Sequence, residues 1–152
     1  MTQNKSVFIP KDSDFLLEKF INCLMFSGKK TIARKIFADV FKILKEKNPD
    51  KEAKNIFESA IRNIMPNIEV RPRRVGGAVY QIPVEVRPTR QRTLAIRWIL
   101  QAARDRKGMP IAKRIALEIL DANNDLGAAF KKKTNVKQMA KANKAFAHLA
   151  RF

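Results

Sequence analysis

The chain has 152 residues, with 32 Lys plus Arg against 14 Asp plus Glu, for a formal net charge of +18. An apolar share of 45% is enough for a folded core, so wholesale disorder is excluded. The charge works against the compact state by self-repulsion, which points to a polyanionic partner: nucleic acid first, an acidic membrane surface second. No apolar run reaches the roughly 20 residues that span a bilayer, and no membrane partner is expected. The N-terminal MTQNKSVFIPKDSDF lacks the apolar stretch of a signal peptide and the arginine bias of a transit peptide, so the chain is expected to work where it is made.

Helical periodicity governs the first 66 residues. Asp12-Ser13 can cap a first helix with Leu16, Leu17, Phe20, Ile21, Leu24 and Met25 on one face, ending at Gly28. The lone Cys23 lies on that apolar spacing and reads as core packing. A second helix carries Ile32, Ala33, Ile36, Phe37, Val40, Phe41 and Leu44 and ends near Asn48-Pro49. A third buries Ala53, Ile56, Phe57, Ala60, Ile61 and Ile64 and stops at Pro66.

The period then changes to two. Ile68, Val70 and Pro72, then Tyr80, Ile82, Val84 and Val86, flank Gly76-Gly77 as a β-hairpin arm over about 67–87. A two-residue turn would set Arg71 against Ile82 and split the apolar face. A three-residue loop, Gly76 to Ala78, pairs Val75 with Val79, Val70 with Val84 and Glu69 with Glu85. That register leaves one apolar face and one basic face, and is the one expected. Pro72 and Pro83 suit a two-stranded ribbon better than a sheet interior.

Helix resumes at Pro88. A fourth helix buries Ala95, Trp98, Ile99 and Ala102 and ends at Gly108; a fifth, opened by Pro110, buries Ile111, Ala112, Ile115, Ala116, Ile119 and Leu120. The stretch NNDLGAAFKKK reads as a loop, followed by a sixth helix capped by Thr134 or Asn135 and running to about Leu149. The fold class is therefore mainly α, a single domain over 1–152 with six helices and a two-stranded antiparallel ribbon between helices three and four.

The cations cluster. Residues 69–92 hold six arginines and no lysine: Arg71, Arg73 and Arg74 in the hairpin, and Arg87, Arg90 and Arg92 at its base. The planar guanidinium fork binds phosphate bidentately and stacks on bases, which lysine does not do. Arg90, Arg97 and Arg104 recur every seven residues along the fourth helix, away from Trp98. Lys29, Lys30, Arg34 and Lys35 mark the second helix, and Lys131, Lys132, Lys133, Lys137, Lys141 and Lys144 mark the sixth. All eighteen are candidate RNA-binding residues.

Catalytic readings find little. One His148 and one Cys23 make no transition-metal cluster, and no cofactor is expected. Gly28-Lys29-Lys30 follows a helix and lacks the spacing of a phosphate loop. An RNA-modifying enzyme needs a cofactor loop or catalytic constellation that is absent from the sequence. The alternative from a binding class is an architectural DNA-binding protein with an arginine ribbon, but Gly76-Gly77-Ala78 offers a poor apolar wedge.

The segments RRVGGAVYQIP, VEVRP and AIRW, with GKKTIARKIF before them and MAKANKAFAHLARF after, resemble the ribosomal small-subunit protein seven family over about residues 12–150. The resemblance implies a helical domain with a protruding ribbon that binds the 3′ major domain of small-subunit rRNA and helps nucleate head assembly. It implies neighbouring head proteins as partners, exit-site tRNA and mRNA nearby, no homo-oligomer, and a ribosome of bacterial or organellar type. Residues 1–11 carry only Lys5 and Lys11 in place of the dense arginine extension of many members. The chain also stops soon after AFAH, so contacts made by a longer tail fall outside the resemblance.

Overall fold

The computed structural model describes residues 14–151 and, of these, the side chains of 14–150. In chain order it contains α1 (Phe15–Leu24), α2 (Lys30–Lys47), α3 (Ala53–Ile64), β1 (Ile68–Val75) and β2 (Ala78–Glu85). These are followed by α4 (Pro88–Asp105), α5 (Ile111–Asn123), α6 (Gly127–Ala142) and a 3-10 helix, Lys144–Arg151. The expected fold class is the observed one: helices with an antiparallel ribbon between α3 and α4.

The apolar stripes meet in one contiguous core. Phe20 of α1, Phe37 of α2 and Phe57 of α3 form its aromatic centre, with ring centroids 5.1–5.6 Å apart. Such tilted and edge-on pairs add about 0.5–1.5 kcal/mol each beyond simple burial. The core continues through Ile96, Ile99, Ile115 and Ile119, all fully buried, so α4 and α5 close over the first three helices. Cys23 is half-buried against this core, as expected.

Local chemistry shifts several boundaries. The expected Asp12-Ser13 cap lies outside the described residues; Asp14 performs the capping, its Oδ1 accepting from the Leu16 N–H at 3.0 Å. Lys54 approaches its other oxygen at 3.0 Å, and these two partners hold its carboxyl below the usual range. α1 ends at Leu24 rather than at Gly28, because Met25 leaves helical angles and Ser27 and Gly28 turn the chain through positive φ. α4 likewise ends at Asp105, before Gly108. Ile32, read as core, is 51% exposed on α2.

The ribbon register differs from the expected one. Val75 pairs with Ala78, Arg71 with Ile82, Val70 with Pro83, Glu69 with Val84 and Ile68 with Glu85. The turn is the two-residue Gly76-Gly77, with φ of 58° and 86°. Two successive positive angles make the type I′ geometry that matches the twist of paired strands, and only glycine adopts both without strain. The expectation of one wholly apolar face was wrong, because the ribbon does not cover a core along its length.

The sixth helix also begins earlier than expected. The supposed loop NNDLGAAFKKK is only Asn124–Leu126, and helix starts at Gly127, seven residues before Thr134. Thr134 does not cap; its hydroxyl donates to the Phe130 carbonyl within the helix at 3.1 Å. The cap comes from a distant residue: the Glu118 carboxylate of α5 accepts from the Ala129 N–H at 2.9 Å. Gly127 has φ +91°, and a Cβ there would lie 2.9 Å from Glu118 Oε1, so this junction admits no side chain. α6 ends at Ala142, and the remaining chain to Arg151 tightens into the 3-10 helix instead of continuing to Leu149 as α-helix.

Candidate nucleic-acid interface

At the ribbon base, Glu69 is only 8% exposed. Arg71 donates to it from Nε at 2.7 Å, and Arg90 of α4 donates from Nε to both carboxylate oxygens at 3.0 Å. Burial disfavours the charge on Glu69, but the Arg90 and Arg71 hydrogen bonds outweigh it and leave the carboxyl below its ordinary pKa. The hub ties β1 to the first turn of α4, and so sets how the ribbon leaves the body. Arg71 and Arg90 therefore serve first as scaffold.

The observed register also relocates Arg73. It shares a face with Tyr80 and Ile82, and its Nη1 donates to the Leu149 carbonyl at 2.6 Å. Tyr80 meets Phe146 with ring centroids 5.0 Å apart, so the C-terminal 3-10 helix lies over this part of the ribbon. Arg73 is thereby half-buried and lost from the solvent-facing basic face that the three-residue register implied, while Arg71 stays exposed although tied to Glu69. Arg74, on the other face beside the turn, is exposed opposite Val79.

Along α4 the arginines are freer. Arg87, Arg92, Arg97 and Arg104 are exposed, and among the described residues none has a carboxylate within 4.0 Å. Arg92 borders a cleft with Asp14, Phe15 and Leu16, while Arg97 and Arg104 border another with Asn22 and Cys23. The outward side of α4 thus runs beside α1, in the same direction.

The lysine clusters divide in the same way. On α2, Lys30 and Arg34 are drawn to Glu18 of α1, at 3.1 and 3.6 Å, while Lys29 and Lys35 remain exposed without an acidic partner among the described residues. Beside them Phe26 is 78% exposed in the turn between the helices. On α6, Lys131 is exposed and Lys132 lies 6.0 Å from the centre of the Trp98 ring. Lys133 is turned inward: its Nζ donates to the Asn63 carbonyl, and burial lowers its pKa. Lys137, Lys141 and Lys144 are exposed along the rim of a groove floored by Ile68, Pro83, Val84 and Ala140.

No group of three His, Cys, Asp or Glu side chains among the described residues is placed to hold a metal ion, and none of their helices is long and apolar enough to cross a membrane. His148 is exposed and bonds through Nδ1 to the Ala145 carbonyl.

Residues 1–144 match the family model described as ribosomal protein S7p/S5e. The chain belongs to the S7p/S5e family of ribosomal proteins. It is 58% identical to the small ribosomal subunit protein uS7 of Nitratiruptor over 135 residues, 88% of this chain and 85% of that protein. The uS7 proteins of Dictyoglomus turgidum (52% over 143 residues; 92% and 91% of the two chains) and Rhodopirellula baltica (48% over 153; 99% and 98%) are similar throughout. This is a family of ribosomal structural proteins rather than of enzymes, and membership places the chain in the small ribosomal subunit.

For an S7p/S5e protein the arginine arm and the stripe on α4 were legible as residue types. Their division into tied and free groups was not, because it depends largely on contacts between elements, Arg34 with Glu18 and Arg90 with Glu69; Arg71 alone meets its carboxylate within its own strand. Phe26, Asn22 and Gln101 were also missed as candidates; an aromatic residue two positions before Gly28-Lys29-Lys30 was the one available signal.

Proposed function

We propose that this protein binds the 3′ major domain of small-subunit rRNA as one domain over residues 1–152. In doing so it helps nucleate the subunit head and places its ribbon near exit-site tRNA and mRNA, beside neighbouring head proteins. The observation that carries the reading is the set of exposed guanidiniums at Arg74, Arg87, Arg92, Arg97 and Arg104, without an acidic partner among the described residues, on a small-subunit ribosomal protein. Folded RNA presents phosphates and 2′-hydroxyls across a wide, shallow minor groove, which a rigid helical body with a projecting ribbon can follow. Lys29, Lys35, Lys131, Lys132, Lys137, Lys141 and Lys144 extend the same surface. Lys30, Arg34, Arg71, Arg73, Arg90 and Lys133 act mainly by holding it in shape.

Affinity for a 3′ major domain fragment, measured by anisotropy across a salt series, tests this against duplex DNA of equal length. The RNA is expected to bind more tightly, with log K falling linearly in log salt. Changing Arg74, Arg87 and Arg92 together to Ala should flatten that slope by about 1 for each phosphate that is no longer neutralised. Equal or tighter binding of DNA, or an unchanged slope in the triple variant, overturns the proposal.

A further inference from the structure

The cleft between α1 and α4 has a chemistry that phosphate binding alone does not require. It is lined by Asn22, Cys23, Arg97, Leu100, Gln101 and Arg104 and encloses about 480 Å³, within the range of about 300–1,000 Å³ typical of small-ligand sites. Arg97 and Arg104 stand two helical turns apart, roughly 10 Å along the axis, so they flank the cleft instead of converging on one anion. Neither has an acidic partner among the described residues. The half-buried Cys23 and the almost fully buried Leu100 close the back of the cleft, so its accessible lining is mainly the arginines and polar side chains.

Two side-chain amides complete the lining. Gln101 donates from Nε2 to Asp105 Oδ1 at 3.0 Å, which leaves its amide oxygen available as an acceptor. The exposed Asn22 amide offers both a donor and an acceptor. A polyanion lying flat would use the guanidiniums and leave the amides idle. A nucleotide uses both: amides for its base edge, and flanking arginines for the phosphates on either side.

We infer that this cleft seats one unstacked nucleotide of the bound RNA, with Arg97 and Arg104 on the adjoining phosphates and Asn22 and Gln101 on the base edge. The inference rests on the RNA-binding reading above. It goes beyond that reading by requiring an unpaired nucleotide at a defined place.

Cys23 is the single cysteine of the chain, so its thiol reports on this cleft without mutation. The full-length protein is saturated with the 3′ major domain fragment, as judged by anisotropy, and the rate of Cys23 alkylation by a maleimide is followed by mass. RNA is expected to slow alkylation at least about tenfold, and 4-thiouridine-substituted RNA should photocrosslink to the segment containing Cys23 through one unpaired position. Changing Asn22 and Gln101 together to Ala should weaken binding by about fivefold or more without altering the salt slope. Changing Arg97 and Arg104 to Ala should flatten the slope. If the RNA binds fully while Cys23 reacts at the free-protein rate, or crosslinks map only to paired nucleotides, the nucleotide seat is wrong and the proposed function stands. Protection by an oligoglutamate peptide equal to that by RNA would reduce the cleft to an anion site and overturn the inference. RNA that fails to bind at all defeats the proposed function itself.

Discussion

Glu118 is the joint on which the C-terminal half turns. Its side chain is fully buried, and one oxygen takes the Arg106 guanidinium at 3.0 Å from Nε and 2.7 Å from Nη2. The other accepts from the Ala129 N–H at the start of α6. Burial works against the Arg106 charge, but hydrogen bonds to Asp121 and Glu118 more than offset it and raise its pKa. Glu118→Gln keeps the shape and removes the charge. Breaking a fully buried pair costs about 3–5 kcal/mol; here Arg106 retains Asp121 and its side chain is 30% exposed, so about 2–3 kcal/mol is expected after discounting for solvent. At about 2–4 °C per kcal/mol for a chain of this size, that is a fall in Tm of roughly 5–10 °C. Urea unfolding of the single variants and of Glu118→Gln with Arg106→Gln gives the coupling directly. The double variant should be less destabilised than the sum of the singles by about 1–3 kcal/mol. A loss under about 1 kcal/mol for Glu118→Gln, or strict additivity in the cycle, would show that Glu118 is not the joint.

The Glu69 hub predicts a pH dependence. Its carboxyl is held below the ordinary value, so the stability it adds is fully present above the unfolded pKa of about 4.3 and is lost as pH falls through the lower folded value. The difference in unfolding free energy between wild type and Glu69→Gln should therefore be constant from pH 5.5 to 7 (roughly, given that reference value) and shrink below about pH 4. A difference that persists undiminished in strong acid would refute it. Phe26→Ala tests whether the exposed ring stacks on a base. Affinity for RNA with unpaired nucleotides should drop by about 1–3 kcal/mol with the salt slope unchanged, while stability stays within about 0.5 kcal/mol at so exposed a position. Unchanged affinity removes Phe26 from the interface.

The helices were legible where the signal is local. The 3.6-residue recurrence that sets Phe20 with Leu24, Phe37 with Val40 and Leu44, and Phe57 with Ile61 specifies buried stripes, and all of these are buried. Boundaries failed where a local signal competed with a distant one. Thr134 resembles a cap by type, yet Glu118, sixteen residues earlier, supplies the capping oxygen and moves the start to Gly127. The ribbon failed for a related reason. Alternation predicts register only when one face is buried along its length, and here Arg73 and Tyr80 share a face that meets a short helix through a carbonyl and a ring. The glycine pair carried the better evidence, since two positive angles in succession select the two-residue turn. At the candidate interface the arginines were visible as types, but the availability of Arg34, Arg73 and Arg90 is set by groups on other elements, which a single sequence does not pair.

Those carboxylates explain how so basic a chain holds one shape. The three buried acids among the described residues, Glu18, Glu69 and Glu118, sit where elements join: α1 to α2, β1 to α4, and α5 to α4 and α6. Each draws cations inward. Glu18 takes Lys30 and Arg34, Glu69 takes Arg71 and Arg90, and Glu118 takes Arg106. Solvent and counterions screen such pairs less than they screen exposed charges, so the joints are expected to persist at salt concentrations that would strip the proposed phosphate contacts from Arg74, Arg87 and Arg92. Salt then acts with opposite signs on the two halves of the problem. It relieves the mutual repulsion of the cations that have no acidic partner among the described residues and so favours the free fold, while it would weaken their proposed hold on RNA. The positive charge is thus divided between a framework tied by the chain's own carboxylates and an exposed surface left for the proposed RNA partner.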